Sequence, residues 1–103
     1  MKEIPEILVK AQEMQKIGDY RLSLKLYREF FENNPSHPMR FKALFEVADN
    51  YYHAGAYDNA QIGYENFLDY CGEQHLSSEE SGWVKEYSRL AHSRLKQIDE
   101  KRL

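Results

Sequence analysis

The feature that most constrains this chain is that it repeats itself. Residues 11–34 laid over residues 48–71, an offset of 37, align Ala11 with Ala48, Gly18 with Gly55, Tyr20 with Tyr57, Tyr27 with Tyr64 and Phe30 with Phe67. Conservative pairs fill the intervening and flanking positions: Ile7/Leu44, Leu8/Phe45, Met14/Tyr51, Ser23/Ala60 and Phe31/Leu68. The matched residues are small, large and apolar, or turn-forming, the kinds that packing selects. A period of this length marks a supersecondary unit that buries its apolar face only against its neighbours.

The unit is helical. Apolar residues mostly recur at three and four rather than at two, and 5 glycines and 3 prolines are too few for a sandwich of short strands. Each unit divides at its glycine, a residue that can adopt the left-handed conformation closing a helix. Before Gly18, Ile4, Ile7, Leu8, Ala11, Met14 and Ile17 form one face; after it, Tyr20, Ser23, Leu24, Tyr27, Phe30 and Phe31 form another. Asp19 is placed to cap the second helix, and the Asn33–Pro38 segment ends it. The second unit follows the same logic, with Gly63 interrupting its second helix where the first unit has Leu26. That glycine costs about 1 kcal/mol relative to Ala unless a neighbouring backbone comes close. A loop over 71–76 leads to Ser77 and Glu80, a capping-box start for a last helix carrying Trp83, Val84, Tyr87, Leu90, Ala91, Leu95 and Ile98. The expectation is all-α: five helices near 4–17, 20–33, 39–54, 57–71 and 78–99, with residues 99–102 fraying.

Length and charge narrow the class. At 103 residues the chain fits one domain over 1–103, and 42% hydrophobic residues supply a core. A net charge of -3 argues against a protein that works by neutralising phosphates, so no nucleic acid partner is expected. The longest apolar runs are three residues against roughly 20 needed to span a bilayer, so no membrane span is expected. The single Cys71 and a start without an apolar stretch of signal-peptide length make a cytoplasmic setting the expectation.

On these residues the chain resembles the tetratricopeptide-repeat (TPR) family. That family's helix-turn-helix unit has a small residue in its first helix, Gly-x-Tyr at the turn, a small residue three further on, then Tyr or Phe and a closing Pro. The first unit, about 4–37, shows Ala11, Gly18-Asp19-Tyr20, Ser23, Tyr27, Phe30 and Pro35. The second, about 41–72, shows Ala48, Gly55-Ala56-Tyr57, Ala60, Tyr64 and Phe67, with Gly72 in place of the Pro. The helix over 78–99 matches a third first-helix in Tyr87, Leu90 and Ala91, departs at Arg94, and reads as a cap. The resemblance implies a right-handed α-solenoid whose first helices line a concave groove for a peptide or a partner's helix. Carried over position by position, the groove would present Leu8, Gln12 and Gln15, then Phe45, Asp49, Tyr52 and His53, then Lys85, Arg89, His92 and Lys96. Leu8 and Glu46 stand where carboxylate-clamping members have basic and amide groups, which argues against that mode of binding.

Chemistry other than binding finds little support. Four dispersed histidines give no His-x-x-x-His, and the nearest constellations, Asp49 with His53 and Cys71 with His75, could each supply half a metal site at most. No glycine-rich phosphate loop or nucleophile elbow is present, so neither catalysis nor a cofactor or metal is expected. Residues 85–103 carry six basic and three acidic side chains against eight and fourteen in residues 1–84, which reads first as a solvated terminal helix with cations near its C-terminus and, more sharply, as a surface for a partner with acidic groups. Two readings follow. One is a protein-protein interaction module; the other is a self-assembling scaffold, at its simplest a homodimer, whose incomplete stack another copy completes.

Overall fold

The computed structural model describes residues 4–102, and residues 1–3 and 103 lie outside it. Among the described residues the protein is all-α, with five helices and no strand: α1 (Glu6–Lys16), α2 (Tyr20–Asn33), α3 (Arg40–His53), α4 (Tyr57–Gly72) and α5 (Ser78–Lys101). Successive helices pack on one another in chain order, and α5 also reaches back to α3.

The two interior turns are built alike because the two glycines do the same work. Gly18 and Gly55 sit at φ 86° and 82°, in a region that side chains disfavour. Behind each, the first helix closes with a paired set of bonds. The Gly18 and Asp19 amides donate to Gln15 O (3.1 Å) and Met14 O (2.8 Å), and those of Gly55 and Ala56 to Tyr52 O (3.1 Å) and Tyr51 O (2.9 Å). Asp19 then caps α2 by accepting from the Leu22 amide at 3.1 Å, whereas Ala56 offers α4 no side-chain cap.

The apolar faces form two clusters that share α3. Leu8, Ala11, Tyr27, Phe30, Ala43 and Val47 join α1 and α2 to one side of it; Phe41, Phe45, Ala48, Ala60, Tyr64, Phe67, Ala91 and Ile98 join α4 and α5 to the other. Serving both, α3 is buried over most of its circumference. Gly63 has a packing reason: a Cβ built there would lie 2.8 Å from Ala48 Cβ and 3.1 Å from Ala48 Cα, so α3 and α4 approach at a Gly–Ala contact.

Two boundaries depart from the sequence expectation by two residues, and the others by at most one. α1 begins at Glu6, with Pro5 as its cap residue, rather than at 4. α5 continues to Lys101 rather than fraying from 99, because its end is held on α4: Arg102 donates to Asp58 and Gln61, and Lys101 lies 5.5 Å from the Tyr57 ring centroid. The start of α5 is equally fixed. Ser77 Oγ accepts from the Glu80 amide at 3.1 Å, and Glu80 accepts from the Ser77 amide at 3.0 Å and from Arg40 Nη1 at 2.7 Å. Buried Arg40 also donates to Tyr70 Oη at 3.0 Å, so one guanidinium joins α3, α4 and α5.

Candidate functional site

The eleven residues expected to line a single groove do not share one surface. Leu8 and Phe45 are core residues, 1% and 3% exposed. Phe45 packs against the rings of Tyr64, Phe67 and Tyr87, which removes it as an exposed anchor. Gln12 is exposed, while Gln15 is tied to α3 by donating to Glu46 Oε1 at 3.3 Å; Glu46 Oε2 accepts from Lys42 at 2.9 Å.

Asp49, Tyr52 and His53 belong to a network that the spacing of α3 alone does not reveal. Asp49 is 5% exposed, and its Oδ1 accepts from Tyr64 Oη and, at 3.1 Å, from Arg94 Nε. His53 Nε2 lies 3.0 Å from Oδ2. Burial, reinforced by the hydrogen bond to Asp49, pushes the Tyr64 hydroxyl well above the usual tyrosine range, so it stays a donor. Tyr52 is half-buried beneath Arg94, 5.0 Å from its ring centroid, and donates from its hydroxyl to Gln97 at 2.7 Å. With both carboxylate oxygens engaged, Asp49 clamps α3, α4 and α5 together and is not free to act as a base. Arg94, the departure from the repeat pattern, thereby has its explanation: it carries the charge that a buried Asp49 requires.

Lys85, Arg89, His92 and Lys96 are all exposed. Their spacing of i, i+4, i+7 and i+11 lays them along one line of α5, and at about 100° per residue that line lies roughly opposite Arg94. Since Ala91 and Ile98 are fully buried and Arg94 meets Asp49, the basic line points away from α3. These residues do not share a wall with Tyr52; they form an outward stripe. Within it only Arg89 is paired among the described residues, with Glu86 at 2.5 Å on the same exposed surface.

A cleft of about 920 Å³ lies elsewhere, alongside α2, with Tyr20, Leu24, Lys25, Arg28, Tyr51 and Ala54 in its lining. It escaped the groove reasoning because it belongs to a second helix. Its visible signal is the line Arg21, Lys25 and Arg28 at i, i+4 and i+7. A smaller cleft of about 430 Å³ sits beside Tyr52, Gln97, Glu100 and Lys101.

No group of three or more His, Cys, Asp or Glu that could hold a metal occurs among the described residues. Burial raises the Cys71 thiol to about 11, which keeps it protonated at neutral pH and poor as a nucleophile. No helix among the described residues is long and apolar enough to cross a membrane. No protein-family model matches the chain, nor does any curated protein or solved structure.

Proposed function

We propose that this protein is a non-catalytic interaction module, a TPR-like stack of two helix hairpins closed by α5, that binds an acidic segment of a partner protein along the outer face of α5. The observation that carries this reading is the exposed stripe of Lys85, Arg89, His92 and Lys96 on one side of a helix whose opposite side is locked to α3 and α4. A helix already held in place spares the partner contact the cost of ordering backbone, and Arg and Lys in such a row steer an acidic partner toward it. The repeat register supports the scaffold half of the proposal: both turns, both small-residue positions and both inward Tyr–Phe pairs recur at an offset of 37. Leu8, Phe45 and Asp49 are spent on the core, so the partner surface moves from the concave side to the end of the stack.

The test is titration of a fluorescent Glu/Asp-rich peptide with the parent protein and with a Lys85→Glu/Arg89→Glu variant, at low and high salt. The expected result is saturable binding that weakens with salt and falls about tenfold or more in the variant. Equal affinity for parent and variant, or no binding to the parent, overturns the reading.

A further inference from the structure

The outer faces of α2 and α4 carry opposite charge at equivalent places in the repeat. On α2 the exposed line is Arg21, Lys25, Arg28 and Glu32; at the offset of 37 the exposed line on α4 is Asp58, Ile62, Glu65 and Asp69. In both helices these positions lie opposite the buried trio, Ser23, Tyr27 and Phe30 in α2 and Ala60, Tyr64 and Phe67 in α4. Packing therefore explains the common geometry but not the charges. Arg21, Lys25 and Arg28 have no ion-pair partner among the described residues, although Arg28 donates to Tyr51 Oη at 3.1 Å. On α4, Asp58 meets Arg102, whereas Glu65 and Asp69 are unpaired among the described residues. Amid that acidic line Ile62 stands 57% exposed, an apolar knob with a carboxylate on either side. Beside the basic line is the 920 Å³ cleft, floored by Leu24, Tyr51 and Ala54.

We infer that this face binds a second copy of the chain, the basic line of α2 lying on the acidic line of α4 of the partner, with Ile62 of the partner subunit at the cleft. Both helices pack on α3, and Phe31 of α2 touches Tyr70 of α4, so the two lines share one side of the molecule. A two-fold axis running between them sets each α2 over the partner's α4, which makes the contact isologous and self-limiting. Arg21 to Arg28 and Asp58 to Glu65 each span about 10 Å along their helices, so two charge pairs match per helix pair. Glu29 and the like-charged ends, Glu32 and Asp69, oppose the pairing and confine it to the first two turns of each helix. With principal extents of 45 × 29 × 20 Å, the molecule is large enough for a contact of roughly 800 Å² per partner, the standard interface size. Stacking through α5 is disfavoured by the same reasoning, since its outward side is polar and basic from Ser78 to Lys96.

The test is sedimentation equilibrium on the full chain up to millimolar protein, for the parent, an Arg21→Glu/Arg28→Glu variant, an Asp58→Arg/Glu65→Arg variant, and their equimolar mixture. The parent is expected to dimerise more weakly as salt rises. Each variant alone should be about tenfold or more weaker, because acid then faces acid or base faces base. The mixture should dimerise again, since both contacts of the heterodimer regain opposite charges. A monomeric parent, a variant that self-associates like the parent, or a mixture that stays monomeric overturns the inference. Should a reversed variant lose its helical circular dichroism, Arg21→Gln/Arg28→Gln replaces it, with weakened dimerisation expected and unchanged dimerisation contrary. Among the described residues Arg21 and Arg28 make no hydrogen bond or ion pair with α5, so the Arg21→Glu/Arg28→Glu variant scores peptide binding on the α5 stripe separately, whereas Asp58→Arg also removes the partner of Arg102.

Discussion

At the residue scale the sharpest finding is Gly63. Its sequence position inside a helix poses a choice between tolerated loss and close approach, and 2.8 Å to Ala48 Cβ decides for approach. Gly63→Ala therefore sets two effects against each other: a gain in helix propensity of about 1 kcal/mol and an overpacking cost of about 1 to 3 kcal/mol. Both neighbouring atoms belong to the backbone or to a Cβ, which cannot swing away, so overpacking wins and the urea midpoint falls below that of the parent. A raised midpoint would mean that propensity governs. Other residues were only half legible. The i, i+4 spacing of Asp49 and His53 places them together, but the buried state of Asp49 depends on Tyr64 and Arg94, 15 and 45 residues away. Tyr27, the repeat mate of Tyr64, has no such partner among the described residues, and its buried hydroxyl makes no hydrogen bond to any of them. Sequence identity at an offset of 37 thus fixed the ring and its burial while leaving the polar end undetermined.

At the element scale, helix number, order and interior boundaries follow from local chemistry, because Gly18, Gly55, Asp19 and the Ser77–Glu80 box act within one turn of where they stand. The end of α5 was not legible, since it depends on Arg102 meeting α4. The start of α5 yields a pH prediction. The Glu80 carboxyl is held below the usual carboxylate range, first by the Ser77 amide and then by Arg40. A group whose folded pKa is depressed stabilises the fold above its unfolded pKa, and that stabilisation is lost as pH falls through the folded value. The parent should therefore be more stable than Glu80→Gln at neutral pH, with the gap shrinking once pH drops through the carboxylate range. Thermal midpoints across that range check the sign; a gap that widens on acidification contradicts it.

At the scale of the whole molecule, what sequence periodicity could not supply is which face of α5 looks where. Counting positions along a repeat put Lys85, Arg89, His92 and Lys96 in one groove with Tyr52, whereas Ala91, Arg94 and Ile98 turn the opposite side of α5 inward. The groove expectation failed for the same reason at Phe45: a terminal helix reaching back to α3 covers that ring with Tyr87. What remains available is an outward basic stripe on α5. The proposed function requires that a partner uses it. The most direct measurement is an amide chemical-shift map of the labelled protein titrated with a Glu/Asp-rich peptide. The account predicts saturable shifts along the line from Lys85 to Lys96, with Gln12, Gln15 and Tyr52 unmoved. Shifts centred on those three residues, or none that saturate, would contradict it.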